Sequence, residues 1–259
     1  MPVVLAFDSA TPATVAGLRL ASGEVLSRRD DPRPGSRPNH AARLLALCDE
    51  LLRQAGLGWK DVPRIGVGVG PGTFTGLRIG VATARALSQA TGAALVPVST
   101  LEALAVGAGM APGDGSPGPS VVQAGSGDPG DAARTPAVAD SPGPSLLAVL
   151  DARRGEAFAA SWRADGTRLS AAAAVQPDAL ATLADRAHGP WLAAGDGAIR
   201  FRDRLESAYV TVPQDGSRLH LVDAAALCHL AVHGAAVDRD EIAPDYVRRP
   251  DAEIKRTPR

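Results

Sequence analysis

The chain has 259 residues, a formal net charge of −1 and a hydrophobic share of 45%, of which aromatics make up only 3% of residues. That length and apolar content supply one large domain or two small ones with cores of alanine, valine and leucine, and the charge excludes a polyanion binder acting by bulk electrostatics. Cys48 and Cys228 stand far apart, which gives no disulfide framework or cysteine zinc site, and the opening Val3-Val4-Leu5-Ala6-Phe7 shows neither leader nor membrane span, so a cytoplasmic chain is expected.

Residues 3–7 form a short apolar run, read as a buried strand that ends in the polar turn Asp8-Ser9-Ala10-Thr11-Pro12. Thr14 to Leu20 reads as a second strand, Ala21-Ser22-Gly23 as a turn and Glu24 to Ser27 as a third strand, giving a β-meander with a carboxylate at its first turn. A basic, proline-rich loop is expected from Arg28 to Pro38. Asn39 is a candidate N-cap for a helix over 40–55, in which Leu44, Leu45, Cys48, Leu51, Leu52 and Ala55 share one broad face and Gly56 closes the end.

Ile65 to Val69 reads as a buried strand in which glycines alternate with valines, so that another backbone or helix can approach closely. The glycine-rich turn that follows contains Gly70, Gly72, Thr73, Thr75 and Gly76; its glycines permit positive φ, and Thr73 or Thr75 is placed to cap a helix over 77–90. The turn lacks the Gly-Lys-Ser/Thr end of a Walker A loop and the third glycine of a dinucleotide fingerprint. An anion-binding helix N-terminus and a turn serving only packing both stay open. Gly76, Gly80 and Ala84, four residues apart, put small residues on one helix face. Leu95–Val98 adds a strand, and Thr100 is placed to cap a helix running through Leu104.

Residues 107–144 are dominated by Gly, Pro, Ser, Ala and Asp without periodicity and read as a disordered insertion. The chain then repeats itself. Asp8 and Asp151, Gly23 and Gly166, and Ser27 and Ser170 are each 143 positions apart, and Trp191-Leu192-Ala193-Ala194 leads into Gly195-Asp196-Gly197 as the earlier strand leads into Gly70. The expected fold class is α/β, with two duplicated β-β-β-α-β-α lobes: residues 1–100 as the first, 145–259 as the second, closed by a helix over 223–237 and a basic tail.

Such a pair of units with an aspartate after the first strand resembles the actin, sugar-kinase and Hsp70-type ATPase superfamily, of ribonuclease H-like fold. Its active members handle phosphate and magnesium with that aspartate and with glycine-rich turns, which makes Asp8 and Asp196 candidate vestigial nucleotide contacts. Gly70-Pro71-Gly72-Thr73-Phe74-Thr75-Gly76-Leu77-Arg78-Ile79-Gly80 is similar to the signature of the bacterial TsaB (YeaZ) family. Leu5 to Thr11, Asp151 to Phe158 and, as a C-terminal strand, Pro244 to Arg248 resemble further segments of it. The resemblance implies a subunit without catalytic residues, cofactor or metal, acting in formation of N6-threonylcarbamoyladenosine in tRNAs that read codons beginning with A. It implies a heterodimer with a TsaD-like transferase, a TsaE-like ATPase joining the complex, indirect contact with tRNA and no membrane; self-pairing of the free chain stays open. It places the partner surface on the two N-terminal helices, with Leu44, Cys48, Leu51, Gly76, Gly80 and Ala84 as expected contacts.

Two enzyme readings compete. A phosphotransferase would use Asp8, although Ala10 stands where kinases of the superfamily carry glycine, and the bland role of Asp8 is to cap its own turn. A metallopeptidase would need H-x-x-x-H on the first helix, where His40 is followed at position 44 by leucine; His229 and His233 have the spacing but lack the zincin glutamate. Asp151 lies beside Arg153 and Arg154, which are expected to hold it ionised.

Overall fold

The computed structural model describes residues 1–33, 35–110 and 143–247. Nearly all of the expected insertion, and the basic tail from Arg248 onward, lie outside them. The first half builds β1 (Val4–Asp8), β2 (Thr14–Arg19), β3 (Val25–Asp30), α1 (His40–Ala55), β4 (Arg64–Gly70), α2 (Phe74–Thr91), β5 (Ala94–Ser99) and α3 (Thr100–Gly107). The second builds β6 (Ser145–Asp151), β7 (Ala157–Trp162), β8 (Ala173–Val175), β9 (Trp191–Ala194), α4 (Asp196–Arg200), α5 (Arg202–Ser207), β10 (Val210–Thr211) and α6 (Ala224–His233). The first sheet has the order β3-β2-β1-β4-β5 and the second β8-β7-β6-β9-β10, so the same topology occurs twice. In each, the first strand is central, antiparallel to the second and parallel to the fourth. The duplicated α/β sheets read from the repeat are present, but in the second lobe 3-10 segments stand where the helix between the third and fourth strands was expected.

β1 is buried along its whole length because both faces of its sheet are covered. Side chains alternate across a strand, so Leu5 and Phe7 enter the core beneath α1 and α2, while Val4 and Ala6 enter a core made with α6. The glycine-valine alternation of β4 has its expected use, and the approaching helix comes from the far end of the chain. A Cβ at Gly66 would overlap that of Ala231, and one at Gly17 would lie 2.9 Å from both the Ala224 carbonyl oxygen and Cys228 Sγ. The opposite exchange also occurs. α3 follows the first sheet but contributes Leu101, Leu104 and Ala105 to the core over β6 with Leu146, Ala148 and Leu150. The two lobes are therefore locked by helices traded across the middle.

Several local expectations are corrected. β3 extends through Arg28, Arg29 and Asp30, because pairing with β2 continues to Thr14↔Asp30 and an edge strand tolerates charge. α1 spans His40–Ala55 and ends on left-handed Gly56 as expected, but the Asn39 side chain makes no capping bond. α2 begins at Phe74, so Gly76 is already helical; of the turn glycines only Gly70 has positive φ, and Thr73 occupies the N-cap position without a side-chain bond. Ser99, not Thr100, caps α3, accepting from the Glu102 N–H. In the second lobe the third strand falls later than Ser170, a 3-10 segment over Pro177–Leu183 follows it, and α6 stops at His233. Residues 244–247 form no strand; Asp245 gives one backbone bond to the Val69 carbonyl at 2.7 Å.

Candidate functional site

Asp8 ends β1 with its side chain at 0% exposure. The Ala10 N–H donates to Oδ1 at 2.7 Å, and the Thr100 hydroxyl donates to Oδ2 at 2.7 Å. The local turn-capping role is thus present, joined by a link to the start of α3. Gly68, next to Asp8 across the parallel pairing, leaves room for the carboxylate; any Cβ there would overlap Asp8 Oδ2. Burial pushes the carboxyl above its ordinary value of 3.8, opposed by the hydrogen bonds from Thr100, Ala10 and Thr11 and by the charge of Arg29. A phosphate-handling carboxylate faces a cleft. This one faces the interior.

The glycine-rich turn closes over the same region. The Thr73 N–H donates to the Ala10 carbonyl at 2.7 Å, and Ser9 Oγ donates to the Gly76 carbonyl at 2.9 Å. A Cβ at Gly76 would overlap the Ser9 carbonyl oxygen, one at Gly72 would come 2.6 Å from Ala10 Cβ, and one at Gly80 would lie 2.8 Å from Ser9 Oγ. The space before the turn is filled by the chain's own Ser9 and Ala10, so the small residues serve that docking. Thr75 is exposed at the start of α2.

The six expected partner contacts are therefore corrected in position. Leu44, Cys48, Leu51, Gly76, Gly80 and Ala84 are all buried within the chain itself. The apolar periodicity that selected them marks the face a helix turns to its own sheet. Cys48 is a free, buried thiol pushed up to about 12 by desolvation, as is Cys228.

The opposite faces of the same helices carry the surface features. Leu45 on α1 is 46% exposed, Phe74 at the start of α2 is 41% exposed and Tyr246, packed against it, is 37% exposed. They are three of the six large hydrophobic residues exposed among the described residues; Phe74 and Tyr246 meet at the start of α2, and Leu45 stands beside its C-terminal part near Leu87 and Ala90. Between α1 and α2 lies an open groove of about 620 Å³ walled by Leu45, Ala46, Trp59, Leu87 and Ala90, with Asp49 and Lys60 at its rim. Sequence reasoning placed Leu45 on one broad apolar face with Leu44 and Cys48, without separating its exposed edge, and missed the Phe74–Tyr246 contact, whose partners are 172 positions apart.

In the second lobe Asp151 has only 8% side-chain exposure and pairs with Arg200 at 2.9 Å and Arg153 at 3.3 Å. Arg153 was expected; Arg200 comes from α4. Asp196, at the start of α4, accepts the Asp151 N–H at 3.0 Å, and its carboxyl is raised mainly by burial. Asp8 and Asp196 belong to separate networks. His40 is buried on α1 with Nδ1 2.8 Å from Thr14 Oγ1, and desolvation lowers its pKa. The His229 and His233 rings of α6 lie against one another, tilted by 42° with centroids 4.7 Å apart. Among the described residues no group of three or more His, Cys, Asp or Glu converges with metal-binding geometry, and no helix is long and apolar enough to cross a membrane.

Two sheets of one topology, each with a central aspartate, place the chain in the ribonuclease H-like, actin-like class. The family model described as TsaD, tRNA N6-adenosine threonylcarbamoyltransferase, matches residues 32–129. The tRNA threonylcarbamoyladenosine biosynthesis protein TsaB of Escherichia coli is 26% identical over 257 residues, covering 95% of this chain and 94% of that protein. The protein of the same name from Bacillus subtilis is 26% identical over 84% of this chain and 83% of its own length. The crystal structure of a Pseudomonas aeruginosa protein with similarity to peptidase YeaZ superposes with a TM-score of 0.71 at 26% identity, covering 96% of this chain and all of that one. Along nearly its whole length the chain is similar to the TsaB (YeaZ) proteins in sequence and in fold.

Proposed function

We propose that this chain is a non-catalytic subunit in the formation of N6-threonylcarbamoyladenosine in tRNA, and that it acts by binding a TsaD-like transferase through the exposed faces of α1 and α2. The observation that carries the reading is the apolar groove between these helices, with Leu45 and Ala90 open to solvent beside it. An unpartnered apolar strip of this kind marks a contact surface, and a helix laid along it is a common mode of recognition. The names of the relatives supply the pathway. The competing phosphotransferase reading is weakened by Asp8, both oxygens of which are engaged inside the fold. A TsaE-like ATPase and tRNA enter this scheme through the assembled complex rather than through the lone chain.

The test is co-expression with the TsaD-like transferase from the same source, followed by gel filtration and a threonylcarbamoyl-transfer assay. The wild-type chain co-elutes with the transferase and has no transfer activity alone. Leu45→Glu, a change at an exposed position, lowers affinity at least about 10-fold, as hot-spot truncations at interfaces do, while the melting temperature of the free chain stays within about 2 °C. Transfer by the lone chain, or a wild-type chain that never co-elutes, overturns the proposal.

A further inference from the structure

α2 has a second flank with different chemistry. On the side away from α1 it borders another open groove of about 620 Å³, closed by residues 239–246. Arg78, Arg85 and Arg239 line it, and among the described residues Asp240 is the single acidic one in its lining. Asp240 neutralises little: its side chain is 88% exposed and 3.6 Å from Arg239 Nε. The basic side chains are anchored by neutral groups. Arg78 donates from Nε to the Tyr246 hydroxyl at 3.1 Å and lies 3.8 Å over the Phe74 ring. Arg85 Nη2 donates to the carbonyls of Asp240 and Ile242, and its buried Nε meets no acceptor among the described residues. Arginine held in this way keeps its full charge while its side-chain freedom is already reduced, which favours pairing with an incoming carboxylate.

We infer that this groove receives an acidic helical segment of the transferase partner, so that α2 is gripped on both flanks, by apolar contacts on its α1 side and by carboxylate–guanidinium pairs on the other. The inference rests on the pairing proposed above and adds the chemistry of the partner. Arg78 and Arg85 are seven residues apart, which is about 10.5 Å along the helix axis; carboxylates two turns apart on a neighbouring helix match that spacing. Ala82 and Ala86, also lining the groove, add no bulk between them, so a second helix can lie close. The same geometry disfavours RNA. Sequence-tolerant binding of single strands uses open aromatic faces, whereas Phe74 carries Arg78 over one ring face and is tilted against Tyr246 at 5.3 Å between ring centroids.

The experiment is calorimetric titration of the full chain with the purified transferase from 50 to 500 mM NaCl, for wild type, Arg78→Glu/Arg239→Glu, the neutral Arg78→Gln/Arg239→Gln, and Leu45→Glu. Arg85 is left intact because it secures the 240–242 backbone. The charge reversal weakens binding at least 10-fold at 50 mM NaCl, the neutral pair weakens it less, and both flatten the salt dependence while melting temperatures stay unchanged. Affinity and salt slope that match wild type in both double variants, with Leu45→Glu still disruptive, overturn the acidic-segment inference and leave the pairing intact. A wild-type chain that binds no transferase at any salt overturns the pairing itself. Loss of self-association, or loss of binding to tRNA in transferase-free mixtures, caused by the charge reversal with no change in transferase affinity, assigns the groove to a second copy or to RNA and equally overturns the inference.

Discussion

The two central aspartates occupy the same position in two copies of one fold and do different things. Asp8 is sealed inside, holding the Ala10 turn and the Thr100 hydroxyl. Asp151 sits nearer the surface and is satisfied by arginines whose side chains are 46% and 61% exposed. The difference follows from what lies in front of each strand end. The glycine-rich turn and α2 close over Ser9 and Ala10, whereas the β6–β7 turn carries Arg153 and Arg154 in left-handed conformation and stays open. A duplicated position thus kept its residue and its topology while its chemistry was decided separately in each lobe. In the first, the carboxylate became part of the joint between the lobes, through the helix that crosses to the other sheet.

The largest expected effect breaks that sealed side. Gly68→Val places a branched side chain where the Asp8 carboxylate sits, and overpacking of this kind costs about 3 kcal/mol or more; urea melts of the soluble variant, or its loss to inclusion bodies, measure it. Next, Asp8→Ala strands the Ala10 N–H and the Thr100 hydroxyl in the interior, at a cost of about 3 kcal/mol, while Asp151→Ala removes ion pairs to exposed arginines and costs about 1 kcal/mol. Equal losses in matched denaturant melts would remove the distinction between the lobes. The smallest effect is in pH. The Asp8 carboxyl titrates higher in the folded chain than its ordinary 3.8, so the folded state binds the proton more tightly and ionisation of Asp8 opposes folding. Stability of wild type relative to Asp8→Asn therefore rises as pH falls from neutrality toward about 4 and levels off below that value; a flat difference would show that the carboxyl is not desolvated.

Much of the architecture was legible in residue order. The offset linking Asp8 to Asp151 extends into β2 and β7, whose limits are also 143 positions apart, and the Gly-Val alternation of β4 announced a close neighbour. The partner face was misread for a definite reason. Leu44, Cys48 and Leu51 repeat at helical spacing because they pack on the sheet, and periodicity reports burial without saying by what. Gly76 and Gly80 are small because Ser9 lies against them, a contact across some seventy residues that spacing does not encode. Leu45 shared the apolar stripe in sequence yet faces outward, since α1 has more leucines than one sheet can cover.

The sequence by itself determined the repeat, the strand and helix order of the first lobe and the signature motif, because each is written in local period, turn residues and fixed offsets. Only the tertiary structure decided which small residues face inward, that Asp8 is closed off by Thr100 and Gly68, and that Phe74, Arg78 and Tyr246 meet beside a basic groove. Those outcomes depend on which surfaces remain after α3 and α6 have crossed between the sheets. Burial is a property of the whole packed chain, set by long-range contacts that no short window contains.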